Sequence, residues 1–279
     1  MIPTTIMNPW FLASTSSGTV EVDNWKARII AAGSTVSDST VAKVRTFVAG
    51  CKTARIWDSL LDIGVFAGND LTAALVKLKY QPTVQSTISN MVGAVNGTNY
   101  VESAGYIPTI SYKYLDSGVR LDYISADGTN LHLAMYCKDA FNLRPMGVFR
   151  SSVATRHYLV YNDYSTTPSF AWGTFGTGGS GTTAGFRITT HYSGSNAYLY
   201  LNGTSVESVA LDYSKPSEWS CGIGVSHGSA TGSSAEAGSY FGATATAFQY
   251  YSIGYGLSAS QAATYNTLVH ALQVALGRS

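Results

Sequence analysis

Charge is what this sequence has least of: Asp, Glu, Lys and Arg make up 12% of its 279 residues, about half the usual globular share. The 17 basic and 16 acidic side chains leave a net charge of +1, which argues against the many phosphate contacts of nucleic-acid binding. Cysteine is also sparse. Cys51, Cys137 and Cys221 are odd in number, widely spaced and without a C-x-x-C pair, so no disulfide framework, zinc site or other cofactor is expected, and cytoplasmic synthesis fits. No apolar run approaches the roughly twenty residues that cross a bilayer. Met1 to Leu12 lacks the basic region and long apolar core of a signal peptide.

What is present is a 45% hydrophobic chain with 28 glycines and 19 tyrosines. It is long enough for one large β domain, or for a small helical unit plus a sandwich. The surface must be largely Ser, Thr, Asn and Tyr. Such a surface suits a protein packed in an assembly or one that meets polar, uncharged ligands, and equally an ordinary soluble β protein with polar loops.

The clearest local signals lie at the C-terminal end. Ala247 to Leu257 reads as a strand segment, and Ser258 with Gln261 forms a capping box ahead of a helix. Ala262, Tyr265, Leu268, Leu272 and Leu276 recur at helical spacing, and Gly277 supplies the left-handed residue that ends the run. At the other end, residues 1 to 20 form an arm with Pro3, Pro9 and the apolar cluster Trp10, Phe11 and Leu12. The arm is expected to dock, either on its own sandwich or on a neighbour.

Residues 21 to 80 read as a helical module. Asp23 or Asn24 is the expected cap of a helix through Trp25, Arg28 and Ile29, stopped near Gly33. Ser37 is the expected cap of a second, with Val41, Val44, Phe47, Val48 and Cys51 as its apolar stripe. Ile56, Trp57, Leu60 and Leu61 form a third patch, and Asn69 or Asp70 opens a fourth helix with Leu71, Leu75 and Leu78.

From residue 81 the hydrophobic period becomes two. Residues 131–136, 156–161 and 185–191 read as strands, and Asn202-Gly203 between 197–201 and 204–211 is a type I′ hairpin turn. Residues 173–183 are too glycine-rich for structure of their own and read as a loop. Short strands at such intervals mean a sandwich or a barrel.

Several motifs invite a chemistry that their context denies. Gly176-Thr177-Gly178-Gly179-Ser180-Gly181 matches a dinucleotide fingerprint, but a strand rather than a helix follows, and no acid stands near Asn196. Gly224-Val225-Ser226-His227-Gly228 matches a nucleophile elbow, with Glu236 and His270 in triad order, yet no βαβ alternation surrounds Ser226. Glu21-Val22-Asp23 opens like the E-x-D-x-x-E of jelly-roll glucanases, but Lys26 takes the third acid's place. His132, His157, His191, His227 and His270 are scattered and read as hydrogen-bonded structural residues. Asp122, Asp127 and Asp163 read as turn acids rather than calcium ligands. Trp172, Tyr161, Tyr192 and Trp219 are the aromatics able to stack on a sugar ring or a partner, although core or interface packing is their commoner use.

Two blocks carry a family resemblance: Trp25 to Gly33 with Val41 to Val48, Ile56 to Leu61 and Phe66 to Lys79, and Tyr251 to Ala263 with Ala275 to Arg278. Together they resemble tailed-bacteriophage structural proteins with a short helical module before a concanavalin A-like (LamG-type) jelly roll. Tyr114 to Gly118 and Leu131 to Tyr136 look like that sandwich's early strands. The resemblance implies a mainly β chain: an arm over 1–20, a helical module over 21–80, and a two-sheet jelly-roll sandwich with a terminal helix over 81–279. It brings no catalytic motif and no metal. It implies a multicopy virion component, in tail, fibre, collar or capsid decoration, held to other virion proteins by the arm (Trp10, Phe11, Leu12) and the helices. Host surface glycans are the ligand expected at the sandwich loops. The alternatives are a free-standing carbohydrate-binding or receptor-binding module and, further off, a serine hydrolase at Ser226.

Overall fold

Local capping chemistry starts the helices, and burial decides how far they run. In the computed structural model, residues 19–81, 92–93, 100–107, 115–138, 146–150, 157–160, 170–175, 184–211, 220–223, 225–229 and 247–278 are described. Helix α1 (Thr19–Ala31) begins before the expected caps, so Asp23 and Asn24 lie inside it. The reason is its buried stripe: Val22, Trp25 and Ile29 are fully buried, and only a helix extended backwards puts Val22 on that face. Gly33 ends the segment at φ 84°, as expected. Helix α2 (Asp38–Thr53) is capped by Ser37, whose hydroxyl accepts from Thr40 N at 3.1 Å, and it buries the five apolar residues expected.

The next stretch departs from the helical expectation. Trp57–Ser59 makes a single 3₁₀ turn, Leu60–Gly64 is strand β1, and helix α3 (Leu71–Ala74) is one turn long, capped by Asp70. All five residues of β1 are buried. A short apolar run buried on both faces shows no period, so the sequence alone does not separate strand from helix there.

Strands β2 (Val92–Gly93), β3 (Tyr100–Val101), β4 (Gly105–Tyr106) and β5 (Leu115–Arg120) follow, then a short helix α4 (Leu121–Ile124). Next come β6 (Leu131–Cys137), β7 (Met146–Arg150), β8 (His157–Val160), β9 (Phe170–Phe175) and β10 (Gly185–His191). Last are β11 (Asn196–Leu201), β12 (Thr204–Ala210), β13 (Ser220–Ile223), β14 (Val225–Ser229), β15 (Phe248–Gly254) and helix α5 (Ala259–Ala275).

These strands form the expected two-sheet sandwich. One sheet has 8 strands in the order β12-β11-β10-β6-β15-β4-β3, with β1 also on β15. The other has 7, ordered β2-β5-β13-β7-β8-β9, with β14 also on β7. Among the described residues, pairing is antiparallel except between β14 and β7. β1 thus places part of the 21–80 segment within the large sheet.

The larger sheet is a middle layer. Leu131, Leu133, Met135 and Cys137 of β6 pack into the core between the sheets. Their neighbours Ala134 and Tyr136 pack instead with Phe47 of α2 and with Tyr265 and Leu272 of α5. Every residue of β6, β10 and β15 is consequently buried. Two polar anchors cross the layers. Lys77 Nζ meets Asp62 Oδ2 at 2.8 Å, both fully buried, and also donates to Ser117 O on the opposite sheet. Arg278 follows α5, and its guanidinium donates to Val65 O at 3.0 Å, Gln249 O at 3.0 Å, Glu102 O at 2.6 Å and Phe66 O.

Candidate functional site

A polar cleft of about 360 Å³ opens where the β11–β12 hairpin turns against α5, lined by Tyr136, Ala184, Gly185, Asn202, Asn266 and His270. The turn forms as the sequence predicts. Asn202 at φ 49° and Gly203 at φ 82° take the left-handed conformations of a type I′ turn. The Asn202 side chain then reaches back, with Oδ1 accepting from Phe186 N at 2.9 Å and Nδ2 donating to Ala184 O at 3.4 Å. Gly185 makes this possible, because a Cβ there would sit 2.0 Å from Asn202 Oδ1 and φ is +128°. Gly203 lies against α5, where its Cβ position is 3.2 Å from Asn266 Nδ2.

Tyr136 supplies an aromatic wall, and burial raises its hydroxyl pKa, with the neighbouring Cys137 adding to it. Asn266 and His270 sit four residues apart and so on one face of α5. The lining therefore offers an aromatic ring, two amides and an exposed imidazole, with no Asp, Glu, Lys or Arg. It can hydrogen-bond a neutral hydroxylated ligand.

A buried Ser–His pair lies below this surface and is structural. His132 Nδ1 is 2.6 Å from the Tyr255 carbonyl, so that nitrogen carries the proton and donates. Nε2 then accepts from Ser252 Oγ at 3.1 Å, Ser252 Oγ accepts from Tyr265 at 2.9 Å, and the Tyr265 hydroxyl meets that of Tyr250. The side chains of His132, Ser252, Tyr265 and Tyr250 are all fully buried where α5 meets the sheet. Burial, opposed by the Tyr255 carbonyl, lowers the His132 pKa to about 4, so the ring is neutral. At the outer edge of the large sheet, burial pushes Glu207 of β12 up to about 7.

Of the residues singled out from the sequence, His270 lines the cleft and Tyr192 does not. Tyr192 is exposed just beyond the far end of β10 from Gly185, about 23 Å along the chain at about 3.3 Å per residue. There the backbone of Gly256 closely approaches the His191 carbonyl, and the preceding Tyr255 is also exposed. Trp172 lies in β9 opposite Tyr158, with its backbone alone described. Tyr161, Trp219, Trp10, Phe11, Leu12, Asp163 and Glu236 lie outside the described residues. Ser226 lies within strand β14, paired with Gly147, rather than on a turn from strand to helix. Asp127 holds a turn by accepting from Thr129 N at 3.0 Å, and Asp122 pairs with Arg120 at 2.7 Å. Among the described residues there is no metal-binding group of three or more His, Cys, Asp or Glu. Tyr136, Asn202, Asn266 and His270 were not assembled by sequence reading. The one local hint was the i, i+4 pair of polar residues on an uncharged helix.

The chain matches no protein-family model and no curated protein. Among solved structures it is similar to the binding domain of botulinum neurotoxin serotype D, at 12% identity and a TM-score of 0.48, covering 76% of this chain and 51% of that one. It is also similar to a sialidase of Trypanosoma rangeli, at 10% identity and 0.46, covering 83% and 40%. A third is the CBM40 domain of the Ruminococcus gnavus IT-sialidase, bound to sialyllactose, at 12% identity and 0.34, covering 57% and 96%. The chain thus spans about half the length of the first and two-fifths of the second. All three scores lie below 0.5, so the sandwich rests on its own strand pairing.

Proposed function

We propose that this chain is a carbohydrate-binding or receptor-binding sandwich module that takes a neutral, polyhydroxylated ligand without turning it over. The observation that carries the reading is the cleft of Tyr136, Asn202, Asn266 and His270, whose lining holds no Asp, Glu, Lys or Arg. Amides and an imidazole exchange hydrogen bonds with hydroxyls, and an aromatic wall packs on the apolar face of a sugar ring. Weak binding at one such cleft becomes useful when several copies act together.

The test is a glycan array followed by calorimetry on the best neutral saccharide. Asn266→Ala and His270→Ala are each expected to weaken binding by about tenfold, the scale of one lost hydrogen bond to a buried polar partner. Failure to bind any saccharide, or binding indifferent to both substitutions, would sink the reading. A virion component is the second reading, favoured by the resemblance over Trp25 to Lys79 and Tyr251 to Arg278 and by the low overall charge. Absence of the protein from purified particles would remove it.

A further inference from the structure

A second, apolar groove of about 270 Å³ runs between α2 and α5, lined by Ala42, Lys43, Thr46, Phe47, Leu268, Ala271, Leu272 and Ala275. The two helices touch at Gly50, where a Cβ would meet Leu268 Cδ2 at 2.6 Å, and the groove opens from there toward Ala42 and Ala275. Helix α5 contains no Asp, Glu, Lys or Arg over its whole length. Its outer face carries exposed Ala271, Val274 and Ala275 beside the groove, and Val274 is 49% exposed. Water faces an apolar surface here that no Asp, Glu, Lys or Arg rims on the α5 side. At 270 Å³ the space falls short of the roughly 300–1,000 Å³ typical of small-molecule sites. It suits one or two large side chains.

We propose that Trp10, Phe11 and Leu12 of the same chain occupy this groove. Three observations select that occupant. Residues 1–20 contain no charged side chain and hold a consecutive aromatic and aliphatic cluster, which matches a groove lined, apart from Lys43 and Thr46, by apolar residues. Helix α1 begins at Thr19, and its first turn is pinned beside the C-terminal turn of α2, with Glu21 Oε1 2.5 Å from Lys52 Nζ. From Lys52 to Thr46 is six residues, about 9 Å along α2 at about 1.5 Å per residue. Passing half-way round a helix about 10–12 Å across adds an arc of about 16–19 Å, so the combined path is about 18–21 Å. The seven residues from Leu12 to Thr19 span up to about 23 Å when extended. The cluster therefore reaches the groove with little slack, and docking there covers the bare face of α5.

The test is site-directed disulfide trapping in the full chain. Trp10→Cys, Phe11→Cys and Leu12→Cys are each combined with Ala271→Cys, and in controls with Ala263→Cys, which is exposed on the same helix nearer its start. The native Cys51, Cys137 and Cys221 are buried and do not compete. At least one pair with position 271 is expected to form an intrachain disulfide in dilute protein at least about tenfold faster than its 263 control, because the tether raises effective concentration. Disulfide-linked dimers in place of monomers would show the groove filled by a second copy and overturn the proposal. Equal rates at 263 and 271 for all three positions would also overturn it. Retained glycan binding in these variants separates this inference from the function proposed above.

Discussion

The buried pair Lys77–Asp62 yields the sharpest prediction about stability. Both side chains have 0% exposure, and the pair ties β1 to the opposite sheet through Ser117 O. Asp62 also accepts from the Tyr251 hydroxyl at 2.5 Å, and Ser117 Oγ donates onward to Cys221 O at 2.7 Å. Lys77→Met removes the cation and strands a carboxylate away from water. Asp62→Asn keeps an acceptor for Tyr251 but strands an ammonium. Each single substitution is expected to cost about 3–5 kcal/mol, the usual penalty for breaking a buried pair from one side. For a chain of this size that lowers Tm by roughly 6–20 °C. The double variant leaves no stranded charge at this site and loses mainly one hydrogen bond, that of the amide introduced by Asp62→Asn, at about 1–3 kcal/mol. Urea unfolding of the four proteins therefore gives a coupling energy of at least about 2 kcal/mol. Raising the salt concentration leaves that coupling unchanged, because screening acts on charges in water. Additivity within about 0.5 kcal/mol would refute the reasoning. It would mean that water or a rearranged partner already compensates each lone charge.

Two further outcomes are expected. His132 has its pKa lowered to about 4 by burial, below the usual 6.5, so between those values the unfolded chain binds a proton that the folded chain refuses. Stability is then full above about pH 6.5 and falls by about 3 kcal/mol as pH drops to about 4. Glu207, raised to about 7, acts with the opposite sign in that window, but its partial exposure damps the effect. Urea midpoints that stay flat or rise on acidification across that window would contradict this account. Gly185→Ala places a Cβ 2.0 Å from Asn202 Oδ1 at φ +128°, so it should displace the hairpin turn, destabilise by more than about 1 kcal/mol, and weaken any ligand held at Asn266. Unchanged stability and unchanged affinity together would show that the turn adapts freely.

The parts of this protein legible in its sequence are those made by contacts a few residues apart. Ser258 accepts from Gln261 N while the Gln261 side chain accepts from Ser258 N, and both partners of that box lie within one turn. Ser37 as the cap of α2, Gly33 as a stop and Asn202-Gly203 as a hairpin are of the same kind. Period-two alternation likewise gave the strands of the large sheet, from Leu131 to Ala210, nearly residue for residue. Tertiary structure alone decided the rest. Leu60 to Gly64 is a strand because Tyr251 to Gly254 waits beside it, nearly two hundred residues along the chain. Asp23 is helical because Val22 has a core to reach. The cleft joins positions 136, 185, 202, 266 and 270, and the cross-sheet anchor joins 62, 77, 117 and 251. Turn and cap preferences are short-ranged energies that the local sequence carries with it. Burial on both faces of a middle sheet, and the meeting of a hairpin tip with a helix, depend on which distant segments the whole chain brings together.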